Sequence, residues 1–268
     1  IMPLRVLGPG GGTTFDVLRA VRFAAGLGDS FDDSVPTPQR AADVINLSLA
    51  GGGFDSFAQQ LYNEVAALGI IVVAAAGNDG TAELAYPASY DNVISVTATD
   101  ININRAFYAN FGTAIDVAAP GGSNRTSDAD NNGQPDIVLS TGADDVPLPI
   151  EDTYVFLQGT SMAAPHVAGI AALMKSLHPA LDTNTFEALL AQSLITDDLG
   201  APGRDNSFGW GLINARRAVE AAQSLAAGEP LALLPNLTTS ANTLNFGAFA
   251  SRLPLTLGNS GPGTLVID

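Results

Sequence analysis

The chain has 268 residues, with 27 acidic against 11 basic side chains, a formal charge of −16 and no cysteine. That length can bury a real core, as one large domain or a domain with an appendage. The acidic balance argues against nucleic acid or an anionic membrane as partner, no apolar run approaches the ~20 residues of a membrane span, and no disulfide framework is available.

In chain order, Leu4 to Leu7 reads as a strand, and Phe15, Leu18, Val21 and Phe23 mark a helix. Gly26 to Arg40, with its Asp, Ser and Pro residues, reads as an inserted surface loop. Val44 to Leu49 is a strand, Phe57, Leu61, Val65 and Leu68 repeat at helical spacing, and Ile70 to Ala76 is a strand buried on both faces. Val93 to Val96 and Ile115 to Ala118 add strands; a helix runs from Ser161 through Leu177, and Phe186 to Leu194 and Leu212 to Leu225 look like outer helices. Such a βαβ series predicts an α/β fold: a doubly wound, mostly parallel sheet with right-handed crossovers and ligands at the carboxyl ends of its strands. Beyond Gly228 the pattern changes. Leu244 to Phe249 and Leu253 to Leu257 alternate like strands, with Asn259-Ser260-Gly261 as a turn. The expected division is therefore 1–228 as the α/β unit and 229–268 as a linker and the start of a β-sandwich-like module.

The segment Gly159-Thr160-Ser161-Met162-Ala163-Ala164-Pro165-His166 places a hydroxyl where a loop turns into a helix. A serine there is held beside free backbone N–H groups, the donors that a developing oxyanion needs. It also needs a general base within hydrogen-bond reach. The chain has two histidines, and neither fits. His166 lies five residues on, rotated by roughly 140° and displaced by about 7.5 Å, and His178 is on the order of 25 Å away at helical rise.

Gly159 to Gly169 resembles the G-T-S-M-A-x-P-H-V-A-G nucleophile motif of the subtilisin-like serine proteases, the subtilases. Further landmarks resemble the family in the same order: Val44 to Leu49, Val72 to Asn78, Tyr86-Pro87-Ala88, Asp116 to Gly121 and Gly209 to Ala215. The family's D-[ST]-G and H-G-T-H motifs, which carry its catalytic aspartate and histidine, have no counterpart here. The expectation is the carboxyl-terminal part of a subtilase whose triad partners lie on a preceding piece, with sheet edges left open to pair with that piece or with a second copy. The segment after Gly228 resembles the immunoglobulin-like modules that trail bacterial extracellular proteases.

The resemblance implies roles. Ser161 is the nucleophile, and Asn78 donates its amide N–H to the oxyanion together with the Ser161 backbone N–H; by pattern alone, Asn78-Asp79-Gly80 is also good turn chemistry. Thr160 either supports this hole or caps the helix. Extended peptides would pair by strand addition between Gly10-Gly11-Gly12 and Leu47-Ser48-Leu49-Ala50-Gly51, where small residues let the backbone approach. Ala50 departs from the family's usual glycine. Ala75, Ala76 and Gly77 form a pocket wall with room for an apolar side chain, or merely pack a buried strand. Tyr86-Pro87 matches a position that often carries a cis bond.

Asp128, Asp130, Asn132, Gln134 and Asp136 have the alternating-oxygen spacing of a calcium loop, with Gly133 at the sharp turn but Leu139 where a glutamate would complete it. Calcium there stands against a plain polar loop. The functional expectation is a secreted bacterial serine endopeptidase acting on protein or peptide through an acyl-enzyme, this chain alone being inactive. The alternative is a non-catalytic binding or adhesion module on the same fold.

Overall fold

The computed structural model describes residues 1–8, 10–28, 37–125, 128–129, 131–144, 151–228, 237–239 and 257–259. A six-stranded sheet has the order β1 (Val44–Leu47), β2 (Ile71–Ala75), β3 (Val93–Thr99), β4 (Val117–Pro120), then β8 (Leu212–Ile213) and β7 (Thr196–Asp197). All its pairings are parallel except that of β7 with β8. Helices α1 (Thr14–Ala24) and α2 (Ser56–Ala67) cover one face, and α3 (Thr160–Leu177), α4 (Thr183–Ala191) and α5 (Ala215–Ala226) the other.

The strand pleat sorts the core. On β2, Ile71, Val73 and Ala75 point into the cluster under α3, α4 and α5, while Val72 and Ala74 point into that under α1 and α2. A strand covered on both faces reads as an unbroken apolar run, as Ile71 to Ala75 does. Helix starts are chemically marked: Thr13 accepts from Asp16 N while the Asp16 carboxylate accepts from Thr13 N, and Asp55, Asp182 and Asn214 each accept from an N–H of the first turn.

Several expectations need correction. Residues Leu4 to Leu7 form no strand; Leu4 and Leu7 stay exposed, and among the described residues β1 pairs only with β2 and offers this segment no ladder. The edge of β1 away from β2, paired by no strand among the described residues, faces a groove of about 1110 Å³, lined among others by Leu4, Val6, Val17, Ile45 and Ala168. Leu212–Ile213 is a short strand, with α5 starting only at Ala215 after the Asn214 cap. The helix expected to reach Leu194 ends at Ala191. Unforeseen was an antiparallel ribbon of β5 (Val138–Asp144) and β6 (Glu151–Leu157), in register from Val138 opposite Leu157 to Asp144 opposite Glu151. Beyond Gly228, β9 (Leu237–Thr239) pairs antiparallel with β10 (Leu257–Asn259), so Asn259 belongs to a strand rather than a turn. The strands expected at 244–249 and through most of 253–257 lie outside the described residues.

Candidate active site

Ser161 is the second residue of α3, and its backbone geometry follows from two neighbours in sequence. Gly159, at φ 148°, turns the chain into the helix with no side-chain cap. Pro165 lies four residues after Ser161 and has no N–H to give to the Ser161 carbonyl. That carbonyl is taken instead by Ser48 Oγ, which donates to it at 2.7 Å. Ser161 Oγ in turn donates to the Ser48 carbonyl at 3.2 Å. A reciprocal pair thus ties the helix start to the end of β1.

Asn78 follows the carboxyl end of β2. Its Oδ1 accepts from Thr160 N and from Thr160 Oγ1, both at 2.9 Å, while Thr160 Oγ1 accepts from Gly77 N at 3.2 Å. The Thr160 hydroxyl is therefore committed to this turn rather than to capping α3. With Oδ1 occupied, the amide N–H groups of Asn78 are what it has left to offer. Neither Asn78 Nδ2 nor Ser161 N has a hydrogen-bond partner among the described residues. A β-carbon on Gly159 would sit 3.5 Å from Asn78 Nδ2 and 3.6 Å from Ser161 N, so both nitrogens border the space that glycine leaves open. Two uncommitted N–H donors that border one space, one of them on the serine itself, can stabilise a tetrahedral oxyanion if substrate places it there.

The surroundings are braced. Gly159 N donates to the Gly121 carbonyl, and the Tyr108 hydroxyl donates to the carbonyls of Gly121 and Gly122 at 2.9 and 2.7 Å. Burial pushes that phenol up to about 12, so it remains a donor at any physiological pH. Neither histidine is positioned as a base. The His166 ring is exposed and its Nδ1 lies 2.8 Å from the Met162 carbonyl of its own helix, while His178 caps the far end of α3.

The other expected residues fall as follows. Gly8 and Gly11 exchange backbone hydrogen bonds, so Gly10 lies within a tight turn that Gly11 closes, and Gly12 follows it just before the Thr13 cap of α1. A β-carbon on Gly52 would lie 3.5 Å from Thr14 Oγ1, which brings the start of α1 beside the segment after Leu47 to Gly51. Gly51 N donates to the Tyr86 carbonyl, just before the cis Tyr86–Pro87 bond. Ala75 packs within the core under α3, and Ala76 and Gly77 are also buried. In the acidic loop, Asp128 accepts from the N–H groups of Asn132 and Gly133, Asn132 Oδ1 from Gln134 N, and Asp136 from Ala129 N. Asp130 lies outside the described residues, and among the described residues no three acidic or histidine groups cluster for a metal. Sequence reasoning missed Tyr108 and Asn110, which lie inside the short stretch Ala106 to Phe111 and carry no local signature.

The fold and this site define a doubly wound α/β protein with a seryl hydroxyl at a helix start and paired N–H donors next to it. The chain belongs to the subtilase family (Peptidase S8), whose model matches residues 1–211. It is 38% identical over 226 residues to an extracellular protease of Xanthomonas campestris pv. campestris, covering 83% of this chain and 35% of that protein. An extracellular basic protease of Dichelobacter nodosus is 35% identical over 82% of this chain and 34% of that protein, so the chain spans about a third of these relatives. Subtilisin DY of Bacillus licheniformis is 38% identical over 186 residues, 68% of this chain and 58% of that one. Among solved structures, a Pseudoalteromonas arctica protease superposes with a TM-score of 0.71 at 39% identity, covering 81% of this chain and 61% of that chain.

Proposed function

We propose that this chain carries the nucleophile and the oxyanion-binding half of a serine endopeptidase. Ser161 Oγ gives its proton to a general base and attacks a peptide carbonyl, Asn78 Nδ2 and Ser161 N hold the oxyanion, the C–N bond breaks as the departing amine takes that proton, and water then hydrolyses the acyl ester to free the serine and the new carboxylate. The observation that carries this reading is that Asn78 Nδ2 and Ser161 N, both without a partner among the described residues, border the one space that Gly159 leaves open. The general base and its carboxylate come from a segment outside this chain, seated along the edge of β1 away from β2, since His166 and His178 are both turned to other work. Extended peptide lies between Gly10-Gly11-Gly12 and Leu47 to Gly51, with Ala75, Ala76 and Gly77 walling a pocket for an apolar side chain. The isolated chain is inactive on this reading, and the complete protein works outside a bacterial cell, the place that the names of its extracellular relatives state for them.

The test is a fluorophosphonate probe, applied to this chain mixed with a separately produced segment carrying the D-[ST]-G and H-G-T-H motifs. Covalent labelling at Ser161 is expected from the mixture and not from the chain alone. A well-folded pair that takes no label supports a binding or adhesion module instead.

Calcium belongs to the same proposal. The loop at 128–136 offers hard oxygen donors on a turn shaped by Asn131 (φ 55°) and Gly133 (φ 81°), which suits that ion, and each engaged carboxylate oxygen keeps a second lone pair. Asp128, Asn132, Gln134 and Asp136 would hold it with Asp130. Adding millimolar calcium to chelator-treated protein should raise the melting temperature by several degrees, as binding to the folded state alone requires. An unchanged melting curve, with no heat of binding by calorimetry, marks the segment as a plain polar loop.

A further inference from the structure

We infer that Asn110 is a positioning residue for the oxyanion site: its buried carboxamide fixes the turn that presents Asn78. The inference rests on the reading that Asn78 Nδ2 is an oxyanion donor.

Asn110 is only 3% exposed, and its polar atoms are spent around one short segment. Its Nδ2 donates to the Ala76 carbonyl at 3.0 Å, its Oδ1 accepts from Asp79 N at 2.9 Å and from Thr81 N at 3.3 Å, and its backbone N donates to the Gly77 carbonyl at 3.1 Å. These bonds engage residues on both sides of Asn78 and take no atom of the Asn78 side chain, whose Oδ1 is held, among the described residues, by Thr160 alone. Asn110 is in turn fixed to the sheet, because Thr97 Oγ1 on β3 donates to its carbonyl at 2.8 Å. The approach is close enough to dictate a neighbour: a β-carbon on Gly77, at φ 105°, would collide with Asn110 Nδ2.

Only a carboxamide does this work. It offers a donor and an acceptor in one rigid plane, whereas an aspartate has no donor for the Ala76 carbonyl and an apolar side chain has neither group. Without it, three main-chain groups of a strand-end turn lose their partners, and the turn settles elsewhere. Displacing a reacting or stabilising group by about 1 Å costs on the order of 10²-fold in rate. Thr160 grips Asn78 from the helix side and Asn110 grips its turn from the sheet side, so the amide is clamped between two elements.

The test is a double-mutant cycle in the complete protein, using a chromogenic peptide anilide with an apolar residue before the scissile bond. Asn110→Ala should lower kcat by roughly 10- to 100-fold with KM changed less than about twofold, and in an Asn78→Ala background it should cost less than about threefold. Asn110→Asp, which keeps shape and acceptor, should fall between wild type and Asn110→Ala. Where the alanine variant does not fold by circular dichroism, Asn110→Ser replaces it in the cycle. Unchanged kcat, or losses that multiply independently of Asn78, overturn the inference while the oxyanion reading stands. Failure of every Asn110 variant to fold assigns the residue to stability alone and also overturns it. An Asn78→Ala variant with full kcat, or a complete protein that cleaves no peptide, sinks the oxyanion reading and this inference with it.

Discussion

On the proposed function, replacing Asn78 by alanine should lower the kcat of the assembled protease by about 10²–10³-fold, the range for removing one oxyanion donor, and leave KM nearly unchanged. The expectation follows from what the side chain does before any substrate arrives. Its Oδ1 is bound twice by Thr160, so the amide plane is set and no reorganisation is needed when charge develops. Asn78 is exposed and outside the core, so folding should change little: the loss concerns the Thr160 contacts, worth about 1 kcal/mol each. A melting temperature within a few degrees of wild type, alongside the fall in kcat, separates the catalytic effect from unfolding. Asn78→Asp should do no better than alanine, since a carboxylate puts negative charge where the oxyanion forms. Turnover unchanged by either substitution would show that the donors bordering the Gly159 space are not used.

Asp116→Asn should flatten the dependence of stability on pH. The Asp116 residue retains some surface, but its carboxyl lies inside, accepting from Ser95 N at 2.8 Å. Burial pushes it up to about 7 from 3.8, against the Ser95 N–H, with Glu187 adding to the rise and the Arg204 guanidinium opposing it. The folded protein therefore holds this proton more tightly than the unfolded chain. The protonated form contributes stability that is fully present below about pH 4 and is lost as pH rises through about 7. The asparagine keeps an acceptor for Ser95 N and never ionises. Denaturant titrations at pH 5 and pH 8 should show the wild type losing on the order of 2 to 4 kcal/mol more than the variant between those values. Glu187, also raised by burial and by Asp91, gives a slope of the same sign in both proteins, so the comparison isolates Asp116. Equal slopes would mean that Asp116 stays ionised in the fold.

Most of the α/β unit was legible because its signals are local. The apolar run at 71–75, the helical spacings of α1 and α2, and the glycines around Ser161 each fix geometry within a few residues. The strand expected at Leu4 to Leu7 failed for a non-local reason: its residues have strand character, but a strand exists only where a partner supplies the ladder. The ribbon β5–β6 went unseen because Val138 to Asp144 mixes polar, acidic and glycine residues and, among the described residues, pairs only with β6. At the site, Ser161 and Asn78 stood out through their motifs, whereas Asn110 acts across 31 residues on Asp79 and Tyr108 across 13 and 14 on Gly121 and Gly122. Nothing in the spacing of those residues announces the contacts.

Pro165 is best understood by what it withholds. An ordinary residue there would return one amide hydrogen to the Ser161 carbonyl, and the first coil of α3 would close on itself. The imino ring leaves that oxygen to Ser48, 113 residues earlier, so the seat of the hydroxyl is set by the end of β1 rather than by the helix. On the proposed function, a segment settling along the outer side of β1 would act on the seat of the serine through Ser48, coupling assembly at that strand to the placing of the nucleophile.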